Sequence, residues 1–264
     1  MLKSNIDKKQ KMLIKEAEIC LKLKHKNIIR YYEIYEDNHF INIIMELADT
    51  DLFELIVNSP NGIVPDYLAI DILIQIFEVI DFLHTKANIV HSDLKPENFV
   101  IKFDKTTKKI ILKLIDFGNA RCTGEGGTDK IFNFCGTKEY MAPEAFELNG
   151  FNEKIDEWAA GVIMFNMLTG CDPFSGENDS EFKDNILYKE INFDIIKNEH
   201  LRNLNKKLLE RFAAKRITAK EALDEIIKIK NDLMINDIKN NINKNDYEKF
   251  IESFNNKITM MHLS

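Results

Sequence analysis

Between Lys11 and Leu23 the apolar residues Leu13, Ile14, Ala17, Ile19, Cys20, Leu21 and Leu23 recur mostly at helical spacing among Lys and Glu, which predicts an amphipathic helix. The stretches "NIIRYYEIYED" and "HFINIIMEL" that follow are rich in β-branched and aromatic residues and meet at "EDNH", predicting a hairpin. "TDLFELIV" opens on Thr50 and Asp51, residues suited to capping a helix. From Asp66 to Lys86 the stripe Leu68, Ile72, Ile76, Val79, Ile80 and Leu83 predicts an amphipathic helix of about five turns. "NFVIKF" and "KIILKLIDF" flank the polar turn "DKTTKK" and predict a second hairpin. Ile155 to Leu168 is apolar nearly all round, the mark of a helix buried inside the molecule. Helical patterning continues through "NKKLLERFAAKRITAKEALDEIIKIKNDLM". The end, "INDIKNNINKNDYEKFIESFNNKITMMHLS", is Asn- and Lys-rich with weak periodicity, so an extra helix and a loose tail both stay open. The chain shows no internal repeat.

The length of 264 residues suits one large domain or two small lobes. With 45% apolar and 30% charged residues the composition is that of an ordinary soluble globular protein. A net charge of −7 disfavours nucleic acid and anionic membranes as partners and tolerates basic peptides. Cys20, Cys122, Cys135 and Cys171 are scattered without a C-x-x-C pair, which points to a reducing, cytoplasmic setting and away from zinc. The N-terminus is too charged for a secretory signal and lacks a Gly at position 2 for myristoylation. The longest apolar run, Ala159 to Leu168, is too short to span a bilayer.

Candidate chemistry concentrates in "IVHSDLKPENFV", Ile89 to Val100, and at Asp116-Phe117-Gly118 after the second hairpin. Asp116 at a strand end can present a carboxylate to a cation, and Asn98 is a neutral oxygen ligand beside it. Two such ligands suit Mg²⁺, which completes its octahedron with water and phosphate oxygens. Asp93 is then free to orient a hydroxyl nucleophile, and Lys95 can reach a transferring phosphoryl group as a point charge. Metal, positioned nucleophile and cation are the ingredients of phosphoryl transfer.

"HSDLKPEN", "DFG" and "APE" (Ala142-Pro143-Glu144) occur with 23 residues from Asp93 to Asp116 and 28 from Asp116 to Glu144. In that order and spacing they resemble the catalytic loop, metal loop and activation-segment end of a eukaryotic protein kinase. The resemblance runs from about Ile14 to Leu223. It implies an α+β fold with a mainly helical C-lobe, Asp93, Lys95, Asn98 and Asp116 as catalytic residues, and Asn98 and Asp116 as Mg²⁺ ligands. It implies ATP as cofactor, bound at "MELAD" with Met45 as gatekeeper and backbone at Glu46 and Ala48, with Asp51 and Val100 also lining the nucleotide site. Asp156 resembles the residue that braces the catalytic loop, and Arg216 the one that pairs with Glu144. Phe117, Gly118 and Thr137 take supporting positions. Lys95 and Thr137 are similar to those of serine/threonine kinases. "LKHKNIIRYYEIYED" and "DLFELI" are most similar to calcium/calmodulin- and calcium-dependent kinases, in which the residues matching Asp51 and Glu97 favour a basic residue in the protein substrate. Oligomeric state is left open.

The chain departs from that pattern in three places. No G-x-G-x-x-G and no A-x-K precede the hinge, so Glu16, at the spacing of the helix glutamate that pairs with that lysine, is left without its partner. The chain therefore reads as a truncated piece of a longer kinase, expected to have little activity alone and to leave an apolar sheet edge unpaired. "GEGGT" at Gly124 to Thr128 reads as a flexible loop rather than a phosphate cradle. Ser92 stands where the family has an Arg that grips a phosphorylated activation loop, leaving Thr123 and Thr128 as weak phosphosite candidates. In the tail, "NDYEKFIESF" resembles half of an EF-hand, but Lys249 occupies the place of the bidentate Glu, so a degenerate structural helix is expected.

The division implied is 1–47 for a partial N-lobe, 48–225 for the C-lobe and 226–264 for a C-terminal extension. Simpler roles are expected for other residues: His91 packs within its loop, His25, His39 and His84 are scaffold or surface residues, and Met45 is equally readable as core filling. The competing reading of the whole is a non-catalytic kinase-like binding or scaffold protein.

Overall fold

A computed structural model describes residues 16–37, 40–104, 106–107, 109–123, 136–146, 150–240 and 245–261, with backbone alone at 234–240, 245–248 and 259–261. The fold is α+β, with small antiparallel sheets at one part and helices dominating the rest. Helix α1 (residues 16–22) buries Ala17 and Cys20 on one face and leaves Leu21 exposed. Strands β1 (Tyr31–Glu36) and β2 (Ile41–Met45) form the expected hairpin, with a bulge between Tyr31 and Glu33. Among the described residues this two-stranded sheet has no further strand. It is stitched to the rest through Asn27 and Ile29, which exchange backbone hydrogen bonds of 2.8 and 3.0 Å with Leu114.

A three-stranded sheet follows, ordered β3 (Thr50–Asp51), β5 (Phe99–Asp104), β6 (Lys109–Leu114). Its inward positions Phe99, Ile101, Ile110, Leu112 and Leu114 alternate with less buried ones, as period-two strands require. The short pair β4 (Ile89–Val90) and β7 (Arg121–Cys122) lies antiparallel beside it. Asp51 caps helix α2 (Leu52–Asn58) by accepting a 2.9 Å bond from the Glu54 N–H. Helix α3 (Asp66–Phe82) buries the predicted stripe and passes into a wider π turn at Leu83–Ala87.

Helix α4 (Lys154–Thr169) is the centre of the larger part: every residue from Ile155 to Leu168 is buried, as its apolar sequence requires. Gly161 lets α6 (Glu199–Leu208) approach, because a Cβ there would stand 2.8 Å from Leu208 Cβ and 2.9 Å from Leu209 Cδ2. The Asn205 amide closes the same contact by donating to the Gly161 carbonyl at 2.8 Å. Helix α5 (Asp179–Tyr188) and helix α7 (Ala219–Asn240) complete this part.

One expectation is corrected here, and two others are sharpened. The helical pattern from Asn205 to Met234 is interrupted: α6 ends at Leu208, and residues 209–218 are irregular apart from the 3₁₀ turn Ala213–Lys215. That break leaves Arg216 extended, so that its guanidinium can turn into the core. The proposed boundary at 225/226 falls inside α7, so the extension is continuous with the last helix of the larger part. The weakly periodic tail contains helix α8 (Asn245–Met261), which buries Ile251, Phe254 and Ile258. Phe254 meets Phe103 of β5 edge to face with centroids 6.0 Å apart, and Lys257 donates to the Asn58 side chain.

Candidate active site

The loop from His91 to Asn98 leaves β4 and is held from below by one carboxylate of α4. Asp156 Oδ1 accepts the Ser92 N–H at 2.9 Å, and Oδ2 accepts the His91 N–H at 2.8 Å. Asp156 is 1% exposed, so these bonds form where water cannot replace them. Ser92 takes a left-handed backbone, φ 68°, at the turn of the loop. His91 is fully buried, with Nε2 3.1 Å from the Ile115 carbonyl. Burial holds its pKa below the usual imidazole value despite Asp156, Asp93 and Asp116 nearby, which leaves it a neutral packing residue as expected.

Lys95 stands half-buried and extended directly before the 3₁₀ turn Pro96–Asn98. Asn98 donates its amide to the Asp93 carbonyl at 2.8 Å, tying the two ends of the loop together. The β5–β6 register pairs Phe99 with Leu114, so Asn98 falls opposite Ile115, whose N–H donates to the Asn98 carbonyl at 2.9 Å. Asp116 is the next residue. It is exposed, has φ 61°, and accepts the Gly118 N–H at 3.2 Å. Strand register thus brings Asn98 and Asp116 side by side across 18 residues of sequence.

The Asp93 carboxylate is held on both oxygens. Oδ1 accepts the N–H and the hydroxyl of Thr137, both at 3.0 Å, and Oδ2 accepts the Asn119 amide at 3.3 Å. Phe117 is buried and packs edge-on against the His91 ring. Beyond it, Arg216 grips Glu144 with two bonds of 2.5 and 2.9 Å. The same guanidinium stacks over Trp158 of α4, 5.0 Å from its centroid. Bidentate geometry and burial make this a pair whose separation would strand a charge.

Glu16 is not left bare. The Tyr31 hydroxyl donates to its Oε1 at 3.2 Å, and the Phe117 backbone also donates to it. Burial, reinforced by the Asp116 carboxylate, raises the Glu16 pKa above the usual carboxyl range in spite of those two bonds. Burial likewise pushes the neighbouring Cys20 thiol up to about 12.

Of the residues assigned to the nucleotide, Asp51 and Val100 face each other in the β3–β5 pairing, and the Asp49 N–H donates to the Ile101 carbonyl beside the half-buried Ala48. The Glu46 side chain is engaged by Lys102 at 2.9 Å and Lys113 at 3.1 Å, while its N–H donates to the Arg30 carbonyl. Met45 is 42% exposed at the end of β2, opposite the buried Tyr31, so it is not a core-filling residue.

A family model described as Protein kinase domain matches residues 1–226. The chain belongs to the protein kinase family. Among curated kinases it is 34% identical over 218 residues to "Calcium-dependent protein kinase 4" of Plasmodium berghei (strain Anka), covering 80% of this chain and 40% of that protein. It is 32% identical over 215 residues to "Aurora kinase" of Eremothecium gossypii, covering 80% of this chain and 55% of that one. The kinase chain thus spans about half or less of the length of these relatives. Among solved structures it is similar to "Crystal structure of Rad53 kinase domain and SCD2", with a TM-score of 0.69 at 28% identity, over 83% of this chain and 78% of that one.

Two residues near this kinase loop escaped the sequence reading. His84 is no surface histidine: it is buried between Asp156 Oδ2 at 2.9 Å and Glu157 Oε1 at 3.3 Å. Burial alone would lower its pKa, but Glu157 and Asp156 outweigh that and raise it to about 10. Its partners lie more than 70 residues away in sequence, and the only local signal was an imidazole on a helix otherwise apolar on that side. Asn119 is the other, three residues past Asp116. Thr123 is corrected as a phosphosite candidate, since it is 2% exposed with its hydroxyl donating to the Asn88 carbonyl. Thr128, the cluster Gly124 to Thr128, Cys135 and His39 lie outside the described residues. No helix among the described residues is long and apolar enough to cross a membrane, and no cluster of three metal-ligating His, Cys, Asp or Glu occurs among them.

Proposed function

We propose that the chain is a serine/threonine protein kinase that transfers the γ-phosphoryl group of ATP to a protein hydroxyl with Mg²⁺ as cofactor. The observation that carries this reading is the joining of Asp93, Asn98 and Asp116 by the hydrogen bonds Asn98 to Asp93 and Ile115 to Asn98. Asp93 would orient the substrate hydroxyl and accept its proton; the Thr137 hydroxyl 3.0 Å from Oδ1 is the kind of contact such a substrate would make. Lys95 would offset charge on the moving phosphoryl group.

The donor set fits Mg²⁺. With Nδ2 bound to Asp93, the Asn98 amide has Oδ1 to offer, and Asp116 adds a hard, exposed carboxylate. A cation at Asp116 would also relieve the repulsion that helps to raise the Glu16 pKa. Bound there, the ion would neutralise charge on the phosphate oxygens. Adenine would lie against Met45, Glu46, Ala48 and Val100, with Asp51 near the ribose. Similarity to calcium-dependent kinases supports a substrate with basic residues near the target Ser or Thr.

The test is single-turnover transfer from saturating ATP and Mg²⁺ to a basic serine peptide by a version of the chain with a G-x-G-x-x-G strand pair and an A-x-K strand restored upstream. Asp93→Asn should lower the rate by about 10²–10⁴-fold while nucleotide binding persists. Equal rates for the two proteins would refute the assignment. A second reading, a non-catalytic kinase-like binding protein, is favoured by Ser92, which stands where the resemblance implies an Arg. It predicts peptide binding with no transfer even by the restored version.

A further inference from the structure

A cavity of about 220 Å³ lies away from the loop residues that bear the proposed chemistry, between the end of α3, β4 and the N-terminal ends of α4 and α7. Its charged and titratable lining is Asp81, His84, Glu153, Glu157 and Lys220, and the exposed Thr85 and Lys220 stand at its rim, within reach of solvent. Every cationic group in that wall is already engaged. Both His84 nitrogens face carboxylates, Nε2 at Asp156 and Nδ1 at Glu157, and the Lys220 ammonium is 2.8 Å from Asp224.

Two of the carboxylates each keep one oxygen unengaged. Glu157 is 1% exposed; its Oε1 accepts the Ala219 N–H at 3.1 Å and faces His84, while its Oε2 is buried without a hydrogen-bond partner. Glu153 Oε2 is likewise buried and unpartnered. These two residues are four apart at the start of α4 and so lie on one face, where like charges repel. Leaving a carboxylate oxygen buried and unmatched costs free energy that a donor would recover. The occupant must therefore bring hydrogen-bond donors and positive charge. A metal ion is disfavoured, because the His, Asp and Glu side chains of this wall form no set of three able to hold one among the described residues, and both His84 nitrogens are committed to carboxylates. The volume is below the ~300 Å³ at which sites for drug-sized ligands begin, and suits a single side chain or a small solute.

We propose that this cavity binds a guanidinium group, held by Glu153 and Glu157 of α4. A planar cation with N–H groups on several edges can donate to two carboxylates at once, which a compact ammonium does less well. The site is independent of the phosphoryl-transfer reading.

Titration of the full chain with methylguanidinium, followed by backbone amide NMR, tests it. Saturable shifts are expected at the amides of Thr123 and Ala219, which line the cavity. Glu153→Gln, which keeps size and leaves the Glu157 bonds intact, should weaken binding about tenfold. Glu157→Gln should do the same, but Glu153→Gln is decisive because the spectrum of a folded protein can be matched to the parent. An arginine tripeptide binding more tightly than methylguanidinium would identify a protein side chain as the source, and the reverse order a small solute. Non-saturating shifts, equal affinity in Glu153→Gln, or equal binding of butylammonium would overturn the proposal.

Discussion

At the residue scale, His84 has the largest consequence that the sequence concealed. Its pKa is raised from an unfolded value of about 6.5 to about 10. The stability it contributes is therefore fully present below pH 6.5 and is lost as pH rises toward 10. His84→Gln leaves Asp156 and Glu157 buried without their cation, and should lower stability near pH 6 by about 3–5 kcal/mol. The gap between the two proteins in urea midpoints should narrow steadily from pH 7 to 10; a constant gap would mean that His84 folds neutral. Arg216 shows the other side of legibility. Its pairing with Glu144 was readable only through the family resemblance, because nothing in 72 residues of separation announces a bidentate contact. Asp93 and Asp116 were readable because their motifs are contiguous, yet Asn119 and Thr137 as anchors of Asp93 emerge only from the folded loop.

At the scale of elements, periodicity told most where one environment covers a whole segment. The predicted stripe of α3 and the all-apolar α4 match the buried positions observed. Pattern failed between Leu208 and Ala219, where helix-compatible residues are held irregular by the turn that delivers Arg216. It was undecided in the tail, where Asn and Lys diluted a real signal: Ile251, Phe254 and Ile258 keep helical spacing and are all buried. Phe254→Ala should release α8 from Phe103, seen as faster amide exchange at 249–258 while α4 remains protected; unchanged exchange would mean that α8 is held elsewhere. Gly161 is a separate packing constraint. Gly161→Ala forces a methyl against Leu208 and Leu209 and should cost about 1–3 kcal/mol in denaturant unfolding.

At the scale of the whole molecule, the larger part is closed and the small sheet is open. Phe40, Ile44, Met45 and Leu47 are exposed around β2, with Leu47 at 85%. Ile44→Thr with Leu47→Lys should reduce self-association in light scattering and shift stability by no more than about 0.5 kcal/mol; undiminished association would place the sticky surface elsewhere. The architecture as a whole was legible because motifs spaced along more than 120 residues constrain one topology, whereas the α3–α4 cavity was not, since it belongs to no motif. The single Asp156 carboxylate that takes the amides of His91 and Ser92 also bears on kinetics. Loop amides usually exchange with solvent through small local openings. These two are fastened to the innermost helix, so their deuterium uptake should be as slow as that of α4 itself, and the loop can come apart only when the molecule does.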